Sequence, residues 1–279
     1  MINYLFDFFY FNFISEHSYL LLEMEFEKEL KDHYFKGHEK YLRHISVDCV
    51  IFGFHENDLK VLLLKAKYAG IWALPGGFIL KDEHMDMAAQ RILKQRTGLD
   101  DIYLQQFHVF SDPNRSTKKM NQQFLKNIGV KSEKSWMFER FITIGYYALV
   151  DFTKVTPAPD NISETCEWFS IYDIPGMILD HRQIIDEALQ NLRMQLNFHP
   201  VGYNLLPNKF TMPELQKLYE TILNKKLDRR NFQRKIVATG ILKRLNETKK
   251  GVAHRAPFYY KFDLRKYEKA LKAGMGFTL

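Results

Sequence analysis

Apolar and polar positions alternate along HISVDCVIFGF (44–54), break at HENDL and resume in KVLLLKAK (60–67), the period-two signature of two strands joined as a hairpin. After the turn LPGG, residues Met85, Ala88, Ala89, Ile92 and Leu93 recur at helical spacing, and Gly98 supplies a C-terminal stop. DIYLQQFHVF (101–110), FITIGYYALVD (141–151) and CEWFSIYDIPG (166–176) read as further strands, with Trp168 and the Tyr146–Tyr147 pair as core. DHRQIIDEALQNLRMQL (180–196) reads as a helix with Asp180 at its N-cap. Strands interrupted by helices predict an α/β/α sandwich over 44–196. The connection 112–140 is long by loop norms, and Met120, Phe124, Leu125 and Ile128 fall at helical spacing inside it.

The pattern changes after residue 196. Proline, glycine and asparagine make 197–205 a linker, and a second unit occupies 206–279. Thr211-Met-Pro-Glu214 is a capping box, followed by Leu215, Leu218, Tyr219 and Ile222 at i, i+3, i+4, i+7. RRNFQRKIVATG then makes a second helix, capped by Asp228 and ended by Gly240, and 241–263 has the form of a hairpin with a basic tip. Helix, turn, basic helix and basic hairpin are the plan of a winged helix-turn-helix.

Charge separates the two units. Residues 206–279 hold 18 Lys+Arg against 6 Asp+Glu, whereas the rest holds 22 against 27, so a basic C-terminal unit that meets a polyanion is joined to a mildly acidic body. In the basic helix Arg230 and Arg234 lie nearly opposite the apolar Phe232 and Ile236. That geometry lets one face bury while the other enters a major groove. Arg230 and Arg234 are the candidates for base edges, with Asn231 and Gln233 as flanking readers. Arg229, Lys235, Lys249, Lys250, His254 and Arg255 are the candidates for phosphate contacts. A merely solvated basic face is the competing reading of this helix, and an RNA-binding module is a further one.

Two cysteines far apart, Cys49 and Cys166, indicate neither a disulfide framework nor a zinc site and fit a reducing cytoplasm. The apolar opening MINYLFDFFYFNFISEHSYLLLE lacks a basic lead, is interrupted by Asp7 and ended by Glu16 and His17, and falls short of the roughly 20 residues that span a bilayer. Neither a signal peptide nor a membrane partner is expected. Residues 1–43 are read as an extension, with a functional start at Met24 preferred over a hydrophobic helix packed on the domain.

Residues 77–99, GFILKDEHMDMAAQRILKQRTGL, place Gly77, Glu83, Arg91, Leu93, Gly98 and Leu99 at the spacing G-x5-E-x7-R-E-U-x-E-E-x-G-U of the Nudix box, where U is aliphatic. At the three remaining acidic positions stand Ile92, Gln95 and Arg96. A hard divalent cation needs several oxygen donors, and pyrophosphate cleavage needs that cation, so no metal site, cofactor or catalytic residue is expected. Glu83 alone reads as a carboxylate at a helix start rather than a metal ligand. The competing expectation is an active Nudix hydrolase with an unorthodox metal site that draws an acid from Asp112, Glu133 or Glu139.

Together with GYYALV (145–150), PVGYNLLP (200–207) and LDRRNFQRK (227–235), this eroded box resembles the Nudix-related transcriptional regulators, among them NAD-metabolism repressors and L-arabinose-responsive regulators. The resemblance runs from about 44 to 262. It implies a homodimeric repressor, not an enzyme, whose Nudix-like domain senses a sugar or an ADP-ribose-type effector and whose winged helix binds double-stranded operator DNA. A pentose is the first expectation for the effector and an ADP-ribose-like compound the second. Trp72 and Phe78, which flank LPGG, are read either as pocket walls or as core. Lys65 and Lys67 are read either as ligand-facing or as a solvated strand face, and Asp112 completes the candidate ligand set. The family pattern is exceeded by the N-terminal extension and by an insertion at 116–139.

Overall fold

Strand β1 (Tyr41–His55) is long enough to serve two partners in succession along one edge and a third along the other. Val47, Cys49 and Ile51 turn to one side, where they pack with Ala88, Ala89, Ile92 and Leu93 of helix α1 (Met85–Thr97). Val50 and Phe52 turn to the other side, against Ile184, Ile185, Ala188 and Leu192 of α2 (His181–Gln195). The strand period of two thus sorts one sequence into two cores with a sheet between two helices. The computed structural model describes residues 24, 28, 32, 35–67, 70–100, 102–116, 119, 122, 126, 135–160, 162–196, 203–251 and 256–273. The opening segment 1–23, the amphipathic pattern at Met120–Ile128, Glu133, His254 and Arg255 lie outside them.

One edge of β1 pairs with β4 (Gly76–Leu80) and, further along, with β2 (Asp58–Ala66), both antiparallel. The other edge pairs in parallel with β6 (Ile142–Val150), which in turn carries β5 (Tyr103–Phe110). β2 also pairs with the short β3 (Trp72–Ala73) and with β7 (Ser163–Ser170), which completes a seven-stranded sheet. β4 was not legible as a strand, because its two glycines disfavour extended structure on propensity alone. The spare length of β1 supplies the partner that makes it one. Gly76 permits that approach, since a Cβ there would strike the Asp48 carboxylate across the pair. α1 stops where expected, at Gly98 in the left-handed conformation (φ 72°).

The second unit follows the expected plan. β8 (Phe210–Thr211) leads into α3 (Met212–Leu223), whose capping box forms with Thr211 and Glu214 in reciprocal bonds. α4 (Arg229–Ala238) is capped by Asp228, whose carboxylate accepts from the Asn231 amide at 2.8 Å. β9 (Leu242–Thr248) and β10 (Phe258–Phe262) form the hairpin, and β10 also pairs with β8. A helix that was not anticipated, α5 (Leu264–Ala273), buries Tyr267 and Ala270 on Ile241.

The two units share a core. Leu215, Leu218, Tyr219, Ile222 and Phe232 continue the apolar cluster built on β1 and α2, and Leu205, at the end of the segment read as a linker, is 1% exposed within it. Polar contacts reinforce the seam at the last turn of α3. Arg193 of α2 donates to the Ile222 carbonyl at 2.7 Å, Tyr172 donates to Thr221 O at 3.3 Å, and the Thr221 hydroxyl lies 3.2 Å from Asn57 O.

Candidate functional site

Most of the eroded box positions are engaged in packing or in pairing with other side chains. Ile92 is 1% exposed beneath Gly77, and so sits in the core where a hydrolase places a carboxylate. Gln95 is exposed, and Arg96 is buried with its guanidinium 2.9 Å from Asp160. Arg96 therefore turns toward the loop before β7 and is neutralised there. The acids around α1 are engaged as well. Glu83 accepts two bonds of 2.8 Å from Arg91 and one of 3.1 Å from the Leu80 amide, and the Arg91 hydrogen bond holds its carboxyl below the ordinary range. Arg91 also reaches Phe78 O at 2.9 Å, which fastens α1 to β4. Asp86 accepts from Tyr146 Oη at 2.5 Å, and Asp100 pairs with Lys94 at 2.8 Å. Among the described residues no three His, Cys, Asp or Glu side chains converge as a metal would need. Burial pushes the Cys166 thiol up to about 11 and Cys49 higher still, so neither is a thiolate nucleophile at neutral pH.

A buried ionic cluster went unnoticed in the sequence. Arg115, 6% exposed, grips Asp180 with two bonds of 2.8 Å, donates to Phe141 O at 3.2 Å and lies 3.9 Å from Asp48. His181 Nδ1 accepts from the Leu74 amide at 2.9 Å, which leaves Nε2 facing Asp48 at 4.0 Å. Asp180 thus occupies the N-cap position of α2 without capping it, a correction to the sequence reading: its carboxylate is diverted to Arg115. The one available signal was Asp48, a charged residue in the middle of an apolar strand.

Two cavities flank these features. One of about 420 Å³ runs along α1, bordered by Met87, Gln90, Arg91 and Lys94 and by Leu99, Ile102 and Leu104. The other, about 410 Å³, lies beside the Arg115–Asp180 pair and is lined by His108, Ser111, Asp112, Asn114 and Gln183. Of the five residues read as ligand-facing, only Asp112 borders either cavity, and its carboxylate also accepts from the Asn114 amide at 2.7 Å. Trp72 packs edge-on against Phe169, 4.5 Å between centroids. Phe78 joins an aromatic cluster with Tyr41, Trp136 and Phe141. Both residues are half-buried and packed against other rings. Lys65 lies 3.6 Å from Glu164, and Lys67 is likewise engaged. Trp136 and Arg115 show how the insertion is attached: one end packs edge-on into the sheet's aromatic cluster, the other is bound to Asp180. Glu139 is exposed past the turn that holds Trp136.

In the second unit Phe232 and Ile236 are buried, and Arg229, Arg230, Gln233 and Arg234 are exposed on α4. Asn231 and Lys235 are half-buried. Asn231 Oδ1 accepts from Arg234 at 2.9 Å and so steadies that guanidinium, while Lys235 is engaged within the protein. The Lys249 ammonium is bound to Glu214 at 2.7 Å, which ties the wing to the N-terminus of α3. Lys250 is exposed.

Comparison with known proteins decides the family. The NUDIX domain model matches residues 42–192, more than half of the chain, and the model of the NrtR DNA-binding winged helix domain matches 202–262. The chain belongs to the Nudix-related transcriptional regulators. It is 28% identical over 232 residues to the ADPR responsive transcriptional repressor NtrR of Acinetobacter baylyi, covering 80% of this chain and 84% of that one. It is 25% identical over 155 residues to an ADP-ribose pyrophosphatase of Methanocaldococcus jannaschii, covering 54% and 79%. The crystal structure of Shewanella oneidensis NrtR complexed with a 27mer DNA superposes with a TM-score of 0.63 at 24% identity, covering 81% of this chain and 96% of that chain. A MutT/nudix family protein from Enterococcus faecalis gives 0.59 at 20%, covering 81% and 90%.

For a DNA-binding regulator of this kind, the Lys249–Glu214 pair separates the two wing lysines. Lys250→Ala is expected to lower the slope of log Kd against log salt by about one, because one released counterion is lost. Lys249→Ala is expected to change that slope by clearly less, since its charge is already balanced. Fluorescence anisotropy on a labelled duplex over a salt series measures both, and equal slope changes would return Lys249 to the phosphate set.

Proposed function

We propose that this chain is a cytoplasmic operator-binding repressor whose Nudix-type domain senses an ADP-ribose-type dinucleotide without hydrolysing it. The observation that carries the reading is the fate of the box positions: Ile92 is core, Arg96 is paired with Asp160, and Glu83 is consumed by Arg91. Hydrolysis of a pyrophosphate would need oxygen donors that converge on a cation, and these side chains are committed elsewhere. The exposed arginines of α4 supply the complementary half, a cationic face for duplex DNA.

On residues alone a pentose stands first. The order is reversed by what the relatives are named for, a response to ADPR in one and its cleavage in the other. The cavity along α1 is the candidate place for it, bordered by the apolar Leu99, Ile102 and Leu104 and by Arg91 and Lys94, which are paired with Glu83 and Asp100 of the same lining. One observation favours a sugar instead. The cavity beside Arg115 is bordered by Ser111, Asp112, Asn114 and Gln183, donors and acceptors that suit hydroxyl groups.

A single winged helix reads only a few base pairs, so useful specificity calls for a homodimer on a pseudo-palindromic site. An effector releases DNA by preferring a geometry in which the two α4 helices no longer match the half-sites, and linkage requires DNA to weaken the effector by the same factor. Thermal-shift titrations with ADP-ribose and with pentoses, with and without a duplex enriched from a random library, test this. ADP-ribose is expected to bind more weakly when the duplex is present. Equal affinities in both titrations, or metal-dependent release of phosphate products from ADP-ribose, would overturn the proposal.

A further inference from the structure

The exposed face of α4 carries one residue that electrostatics does not explain. Positions 230, 233, 234 and 237 recur at i, i+3, i+4 and i+7, so Arg230, Gln233, Arg234 and Val237 form a single stripe opposite the buried Phe232 and Ile236. Val237 is 50% exposed. It belongs to none of the apolar clusters among the described residues. Helix formation does not call for it, because a β-branched residue is a poorer helix former than the arginine, lysine or glutamine around it.

We infer that Val237 reads the C5-methyl group of a thymine in the major groove, as the apolar member of a stripe whose other members offer hydrogen bonds. The inference rests on the proposal that α4 is the helix that reads operator DNA. Thymine is the only base that presents a methyl group in that groove, and an isopropyl side chain is a surface suited to it. Charge selects this occupant over a second copy of the chain. Arg229, Arg230 and Arg234 surround the patch, so two such faces brought together repel, whereas a polyanion is attracted. Spacing narrows the position. Arg234 and Val237 are separated by about 4.5 Å along the helix axis, and base pairs follow at about 3.4 Å. The thymine then lies one or two base pairs from the pair addressed by Arg234.

The test uses the full chain and a duplex enriched from a random library, in which each thymine is replaced in turn by deoxyuridine, a change that removes only the methyl. At one thymine in each half-site the replacement is expected to weaken the parent about four-fold, the size of one buried methyl group. Val237→Ala is expected to bind the unmodified duplex about as weakly as the parent binds the deoxyuridine duplex and to show no further loss there. Val237→Thr keeps one γ-methyl and is expected to retain part of the sensitivity. Identical deoxyuridine profiles for parent and Val237→Ala overturn the inference, as does a change of oligomeric state in Val237→Ala without a change of profile. If Arg230→Ala and Arg234→Ala weaken binding in the same assay, only the role of Val237 has failed. If they bind like the parent, the groove reading of α4 fails with it.

Discussion

Arg230→Ala or Arg234→Ala is expected to weaken binding to the enriched duplex by about 1–3 kcal/mol, roughly five- to 150-fold, and to relax the sequence preference at the base pair concerned. Burial of Phe232 and Ile236 fixes the rotation of α4 about its axis, so the arginines project into solvent as a consequence of the core. Asn231 holds one Nη2 hydrogen of Arg234, which reduces the freedom that side chain must surrender on binding while other N–H groups remain for a guanine edge. Folding is expected to be unaffected, since both side chains are exposed. Arg230→Lys and Arg234→Lys distinguish base contact from phosphate contact, because an ammonium keeps the charge but loses the planar fork. Anisotropy titrations at one fixed salt concentration give the answer. Full affinity in the alanine variants would remove α4 from the groove, and full affinity in the lysine variants alone would demote the arginines to phosphate contacts.

Arg115→Ala is expected to cost about 3–5 kcal/mol of stability in the Nudix-type domain, lowering the unfolding midpoint on the order of 10 °C. The pair itself is not the reason, since desolvation offsets much of its Coulombic gain. The cost comes from what remains: Asp180 and Asp48 stay buried with the guanidinium gone, and the Phe141 carbonyl loses a donor. Asp180→Asn in the same background is expected to recover part of the loss by removing one stranded charge. Chemical denaturation followed by tryptophan fluorescence checks both, and a loss under about 1 kcal/mol for Arg115→Ala would mean that water reaches the cluster. The same variant tests how the insertion is held, because Arg115 lies at its root.

Much of this protein follows from local chemistry and was legible before any fold was known. The alternation through 44–54 depends only on neighbouring residues, as do the helical spacing of Ala88, Ala89, Ile92 and Leu93 and the box of Thr211 and Glu214, and all of them formed. Loss of the metal-binding acids is equally a property of the chain, read from Ile92, Gln95 and Arg96 at fixed spacing. A basic helix with an apolar face is sequence too. What the sequence left open is what distant positions do to one another. Trp72 and Phe78 owe their ring neighbours Phe169 and Trp136 to strands and turns far along the chain. Asp180 was drawn from its cap by Arg115, 65 positions away, and Lys249 pairs with Glu214, 35 away. β4 exists only because β1 has length to spare, and the two units share a core because the last turn of α3 lands on Asn57, Tyr172 and Arg193. Propensity and periodicity act over a few residues, so they dictate elements and faces. The partner of a buried charge or ring depends on sheet order and register, which only the assembled chain decides.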